Sequence, residues 1–245
     1  MNFASDGSAD PSQSIAQRSN PLLQLPCSIV RTLSKGETVY QQGQRAAQFC
    51  LILEGKVELI RSVAGRSDPM VIDVYGKDDF FGESAFITLL YPETAVALGE
   101  TRLMVWTAEE INDLLPARPK LALALIQFIV QRSLDLERRI EALAVEGIPS
   151  RLVRALVHFS ERFGIRKNDG LLHMPPFRHR LLGQYVGTSR EVISEYMSQL
   201  RNEGCIRYSR TNLAVDPEAL AHRLTQGKHP TAAGKSDAGD LTNTI

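Results

Sequence analysis

The sequence predicts an α+β chain in three parts: an antiparallel β barrel or sandwich, one long helix, and a C-terminal helix pair followed by a β-hairpin. Three patterns carry that prediction. Short apolar runs broken by glycine-bearing turns fill residues 29–107, an apolar heptad repeat runs through 121–145, and Gly183 and Gly187 separate two amphipathic stretches. The chain has 245 residues, 43% of them apolar and 23% charged, enough for one or two domains with a sizeable core.

The strands are read from Phe49-Cys-Leu-Ile-Leu53, Val57-Glu-Leu-Ile60, Met70-Val-Ile-Asp-Val-Tyr75 and Leu103-Met-Val-Trp106, with turns at Lys35-Gly36, Gln42-Gly43, Glu54-Gly55, Gly65 and Tyr75-Gly76. Thr107-Ala-Glu-Glu110 has the form of a capping box, so a short helix is expected there, broken by Pro116 and Pro119. From Leu121 to Val145, Ala122, Ile126, Ile129, Ser133, Leu136, Ile140 and Leu143 recur at steps of four and three. That is an a/d seam, whose simplest partner is the same helix of a second copy; packing on the chain's own barrel is the alternative. Asp135, Glu137, Arg138, Arg139 and Glu141 take outer positions. Gly147 is expected to end this helix and Pro149 to open the next, in which Leu152, Ala155, Leu156 and Phe159 form the buried side.

In the segment 178–200, two helices joined by a tight turn need a small residue at their close approach and a left-handed residue in the turn. Gly183 and Gly187 supply these, while Leu182, Val186, Ile193, Tyr196 and Leu200 supply the core and Thr188 or Ser189 the cap. The pattern is a helix-turn-helix whose second helix enters a DNA major groove. With its apolar face inward, Arg190, Glu191, Ser194 and Glu195 point outward to read bases, Arg to guanine and Glu to cytosine. Arg178, Arg180, Thr188, Ser189 and Arg201 are placed for phosphates. Cys205–Val215 alternates about a polar tip, a wing that brings Arg207 and Arg210 to the backbone.

Charge agrees. Residues 1–147 carry 14 Lys/Arg against 19 Asp/Glu, a net −5, whereas residues 148–228 carry 13 against 7, a net +6. The zero total therefore hides a basic C-terminal half that attracts a polyanion. No nucleophile–base set, metal cluster or phosphate loop points to an enzyme, and no catalytic or metal-ligating residue is assigned. The ends, 1–20 and 227–245, read as disordered tails. Neither a signal peptide nor an apolar run of eighteen residues is seen, so a cytoplasmic chain with no membrane partner is expected.

From about Leu22 to Leu224 the chain resembles transcription regulators of the Crp/Fnr superfamily. The residues that carry the likeness are Gly43, Leu51-Ile-Leu-Glu-Gly-Lys-Val57, Asp79-Phe-Phe-Gly-Glu-Ser84 and Gly187-Thr-Ser-Arg-Glu191. The resemblance implies a jelly-roll-like β-roll of cyclic-nucleotide-binding type at 21–120, a dimerisation helix at 121–146 and a winged helix-turn-helix at 147–226. It further implies a homodimer on a pseudo-palindromic operator in double-stranded DNA, with RNA polymerase as a further partner. The alternative is a nucleotide-binding module that controls a partner protein.

The resemblance places an effector pocket at Gly82, Glu83, Ser84, Glu93 and Thr94, closed by Leu136 and Glu137 of the helix. Members that bind cyclic AMP have an arginine for the phosphate where this chain has Glu93, and a Thr-Ser pair for the adenine where it has Leu136-Glu137. Both departures argue against cyclic AMP and leave an unknown small effector, or none. Three scattered cysteines (Cys27, Cys50, Cys205) do not make an iron–sulfur site. All five histidines lie at or after position 158, which argues against haem. Cys50 and Trp106 are read as core, Cys27 as a surface thiol, and His158 and His173 as structural or surface residues.

Overall fold

The computed structural model describes residues 25–226, so both expected tails lie outside the described residues. The described residues fall into two compact units, 25–146 together with 183–189, and 147–182 together with 190–226. In the first, eight strands run in order: β1 (Ile29–Leu33), β2 (Thr38–Tyr40), β3 (Gln48–Glu54), β4 (Val57–Arg61), β5 (Met70–Tyr75), β6 (Phe80–Phe81), β7 (Thr94–Ala97) and β8 (Thr101–Thr107). A 3-10 turn at Glu83–Phe86 lies between β6 and β7. They form two antiparallel four-stranded sheets, β1-β8-β3-β6 and β2-β7-β4-β5.

Strand β3 shows why its apolar run is continuous. Side chains alternate across a strand. Cys50 and Ile52 join the core that also holds Leu59, Tyr75, Phe81 and Leu103. Phe49 and Leu51 join a second core with Phe80, Trp106, Ile111, Leu121 and Leu125, so both faces are covered. Full burial of a side chain such as Phe49 stabilises the fold by about 1.5–3 kcal/mol. Burial also pushes the Cys50 thiol up to about 12, as expected of a core thiol. Trp106 is buried as expected, with its indole N–H donating to Pro26 O at 2.9 Å. Cys27 is exposed.

Helix α1 (Ala108–Leu114) starts on the expected box: Thr107 Oγ1 accepts from Glu110 N at 3.1 Å, and Glu110 Oε2 accepts from Thr107 N at 2.7 Å. Pro119 does not break a helix but opens one. Its missing N–H costs nothing in a first turn, so helix α2 runs from Pro119 to Val145 and begins two residues before the sequence places it. Leu121, Ala124 and Leu125 of α2 are buried in the second core. Arg139 departs from its expected outer position, its guanidinium donating to Val71 O at 2.8 Å and also to Ile72 O.

After α2 come α3 (Ile148–Phe163), β9 (Ile165–Arg166), β10 (Leu172–Met174), α4 (His179–Val186), α5 (Arg190–Asn202), β11 (Ile206–Tyr208), β12 (Leu213–Val215) and α6 (Pro217–Gln226), which make up the second unit except for residues 183–189, the end of α4 and the turn after it. Gly147 corrects the sequence reading, because it is the N-cap of α3 with φ −71° rather than a left-handed end to α2; Glu146 ends α2 in extended backbone. The expected hairpin is present, Arg207 pairing with Ala214, but it belongs to a larger sheet, β11-β12-β10-β9. Helix α6 was not expected, although its start signal is ordinary: Asp216 Oδ1 accepts from Glu218 N and Ala219 N, both at 3.0 Å, and Pro217 follows at the first position.

Thr107→Ala removes one half of the box at the junction between β8 and α1. The expected loss is about 1 kcal/mol of unfolding free energy in urea titration; an unchanged midpoint would show that the cap contributes nothing.

Candidate nucleic-acid interface and interior charge cluster

The turn between α4 and α5 follows from its glycines. A Cβ on Gly183 would meet Thr188 O at 2.8 Å, too close for any side chain. Gly187 has φ +85°, the left-handed region open to glycine at little cost. Gly187 N and Thr188 N both donate to Gly183 O, at 2.8 and 2.9 Å, which closes the turn. Helix α5 starts directly after Ser189. Its inward face is Ile193, Met197 and Leu200; Tyr196, expected in the core, is only half-buried, and Met197 is buried in its place.

Of the four residues expected to read bases, Arg190, Glu191 and Glu195 are exposed. Ser194 is half-buried and its hydroxyl is engaged within the unit: it donates to Arg190 O at 2.9 Å and meets His179 Nδ1 at 2.8 Å. Arg178, Arg180, Ser189, Arg201, Arg207 and Arg210 are all exposed, and Thr188 is half-buried. Five arginines and a serine hydroxyl thus stand in solvent around α4, α5 and the wing, a set suited to phosphate oxygens.

Two histidines hold this surface: His173, read from the sequence as a structural or surface residue, and His179, which the sequence reading did not single out. His179, at the start of α4, reaches Ser194 on α5 and stacks on Tyr208 of β11 with ring centroids 5.6 Å apart. Burial and the nearby Arg190 hold its pKa below the ordinary value. His173 lies between Asp169, at 3.0 Å, and Asn212, bracing the turn that carries the wing. Hydrogen bonding from His173 lowers the Asp169 carboxyl. Ser194 lies 15 residues from His179 and Asn212 lies 39 from His173, too far to show in local spacing, whereas Asp169 is only four residues from His173.

The expected effector residues come together only in part. Gly82 has φ +87°, and a Cβ there would meet Gln48 O at 2.4 Å, so the start of the 3-10 turn demands glycine. Glu93 is buried, with Arg61 Nη2 at 3.3 Å from its Oε2. Thr94 Oγ1 accepts from Gln42 N at 3.0 Å. Glu83 Oε1 lies 2.7 Å from Arg132 Nη1. That arginine also donates to the Tyr75 hydroxyl, and its Cζ is 4.7 Å from the Tyr75 ring centre and 5.6 Å from that of Phe128. Leu136 and Glu137, by contrast, are exposed, and it is Arg132, one turn earlier, that carries α2 to Glu83. Neither Arg61 nor Arg132 was singled out from the sequence. Burial, then the charge of Glu83, raises the Glu93 carboxyl against the pull of Arg61.

The α2 seam is open in the single chain. Ile126, Ile129, Leu136, Ile140 and Leu143 keep 46–65% of their surface, Ser133 is exposed and Ala122 is half-buried. The alternative packing on the chain's own roll is taken by Leu121, Ala124 and Leu125 instead.

This fold and surface define a winged helix-turn-helix regulator with a β-roll in front of it. Residues 30–118 match the cyclic nucleotide-binding domain, and residues 150–223 match the Crp-like helix-turn-helix domain, together about two thirds of the chain. The chain belongs to the Crp/Fnr superfamily, whose members are transcription regulators and not enzymes. Over 201 residues it is 25% identical to the global nitrogen regulator of Synechocystis sp., covering 80% of this chain and 89% of that protein. Over 192 residues it is 24% identical to a CRP-like cAMP-activated global transcriptional regulator of Mycobacterium tuberculosis, covering 77% and 85%. The structure of FixK2 from Bradyrhizobium japonicum superposes with a TM-score of 0.72 at 17% identity, covering 82% and 98%, a likeness of fold. Among the described residues no helix is long and apolar enough to cross a membrane.

Because its pKa is raised, Glu93 binds a proton more tightly folded than unfolded. Its ionised form therefore opposes folding above the folded pKa, and the penalty is relieved as pH falls through that value. Glu93→Gln is expected to melt above the parent near neutral pH, with the gap closing as pH falls toward the ordinary Glu range. A gap independent of pH in thermal melts would contradict this.

Proposed function

We propose that this regulator acts as a homodimer that reads a pseudo-palindromic operator, and that its β-roll does not take cyclic AMP. The observation that carries the DNA-reading role is the exposed start of α5, where Arg190, Glu191 and Glu195 follow a glycine-pinned turn and are ringed by exposed arginines. Arg190 suits guanine and Glu191 suits the cytosine amino group. Dimer formation is supported by the α2 seam, whose apolar side chains stand in water in the single chain. Two copies joined there would present two readers, for half-sites about 34 Å apart.

The case against cyclic AMP rests on charge. The cyclic phosphate needs a cation where this chain has a buried carboxylate, Glu93, and a like charge inside the fold costs several kcal/mol. Arg61 already pairs with Glu93 and Arg132 with Glu83. The mycobacterial relative is named for activation by cAMP; this chain lacks the charge that such a ligand needs.

Selection from a random duplex library tests the DNA reading. A two-fold symmetric site is expected, and on it Glu191→Ala should lose about 1–3 kcal/mol of discrimination at one base pair per half-site. Arg201→Ala should weaken all sequences alike and flatten the salt dependence. No enriched palindrome, or a chain that sediments as a monomer, would overturn the proposal. Calorimetry with cyclic AMP is expected to show no binding at micromolar concentrations; one equivalent of heat per chain would refute the charge argument.

A further inference from the structure

Ser194, expected to read a base, has surroundings that give it another task. Its hydroxyl carries one proton, which it donates to Arg190 O at 2.9 Å. His179 Nδ1 lies 2.8 Å from the same hydroxyl oxygen, so the ring is the donor there and carries its proton on Nδ1. The other ring nitrogen, Nε2, is buried and has no partner. Among the described residues, the hydrogen bonding of this ring is therefore directed at α5 alone.

The pair joins parts that must keep a fixed relation on a duplex. His179 is the first residue of α4, and Ser194 lies one turn into α5, four residues after Arg190. The imidazole also rests on Tyr208 of β11, with ring centroids 5.6 Å apart and planes 29° from parallel. One half-buried ring on α4 thus holds both the reading helix and the wing, and all three residues lie in the second unit.

Burial of Ile193, Met197 and Leu200 keeps α5 in place, but apolar contact is non-directional and does little to fix the rotation of a helix about its axis. A hydrogen bond is directional. Through Ser194 this one reaches Arg190 O, the backbone of a residue whose side chain is to meet a base edge. Groups that recognise a partner must be held to within about 0.5 Å and 10–20°. A roll of α5 displaces Arg190, Glu191 and Glu195 together, whereas contacts to phosphates carry no sequence information to lose.

We propose that His179 and Ser194 form a cross-brace that sets the rotation of α5, so that Ser194 is a positioning residue for sequence reading and not a base contact. The proposal rests on reading α5 as the helix that enters the major groove.

The test is a binding titration of the purified full-length protein against the duplex selected from the random library and against a random duplex of equal length. His179→Phe keeps a ring for Tyr208 but has no donor, and Ser194→Ala has no acceptor. Each is expected to weaken binding to the selected duplex about tenfold and to leave binding to the random duplex within about twofold. The double variant should be no weaker than either single one, because both remove the same bond. His179→Asn, whose side-chain N–H replaces the one on Nδ1, should recover most of what His179→Phe loses. Nitrogen NMR of the imidazole in the free parent protein should find the proton on Nδ1. A loss with Ser194→Ala that His179→Phe does not share would make Ser194 a base reader after all. Additive losses, equal losses on both duplexes, or a ring protonated on Nε2 alone would also overturn the brace. If His179→Phe fails to fold, Ser194→Ala and His179→Asn decide. A parent protein that selects no duplex sinks the regulator reading and the brace with it, whereas a discriminating parent whose single variants are unchanged sinks the brace alone.

Discussion

Helix α2 carries more apolar side chain than its own unit covers. Leu121, Ala124 and Leu125 are spent on the roll, near the start of the helix, while Ile126, Ile129, Leu136, Ile140 and Leu143 stay largely in water. At about 1.5–3 kcal/mol for each large side chain fully buried, and with about half of their surface still exposed, those five represent roughly 4–8 kcal/mol per chain. That is comparable to the whole stability of a domain and outweighs much of the entropy lost on association. A helix so divided settles two questions together. Its first turns are anchored by contacts inside the chain, and the remaining turns are left as the apolar stripe on which the proposed dimer rests.

The parts of the molecule that could be read from the sequence are those whose causes are local. The capping box at Thr107–Glu110 and the Gly183/Gly187 turn act within a few residues, and both have the geometry their spacing implies. The strand runs were legible because burial on both faces leaves β3 apolar from Phe49 to Leu53. Pro119 and Gly147 were misread for the opposite reason: each residue suits both the end of one helix and the start of the next, and neighbouring packing decides which.

The candidate sites divide in the same way. Arg190, Glu191, Glu195 and Arg201 follow from the period of α5 once its buried face is known. The Arg132–Glu83 and Arg61–Glu93 pairs could not be found, because they join residues 49 and 32 positions apart whose charges look like ordinary solvated ones in the linear chain. A departure at one position, Glu93, was visible from the likeness to relatives; its compensation elsewhere was not.

Trp106 is the chain's one tryptophan, fully enclosed in the first unit with its indole N–H held by Pro26. The second unit has tyrosines and phenylalanines but no indole. Fluorescence excited at the red edge of aromatic absorption therefore reports on the roll alone, and circular dichroism on both units. The chain carries a built-in optical label by which the melting of one unit can be told from that of the other without attaching a dye.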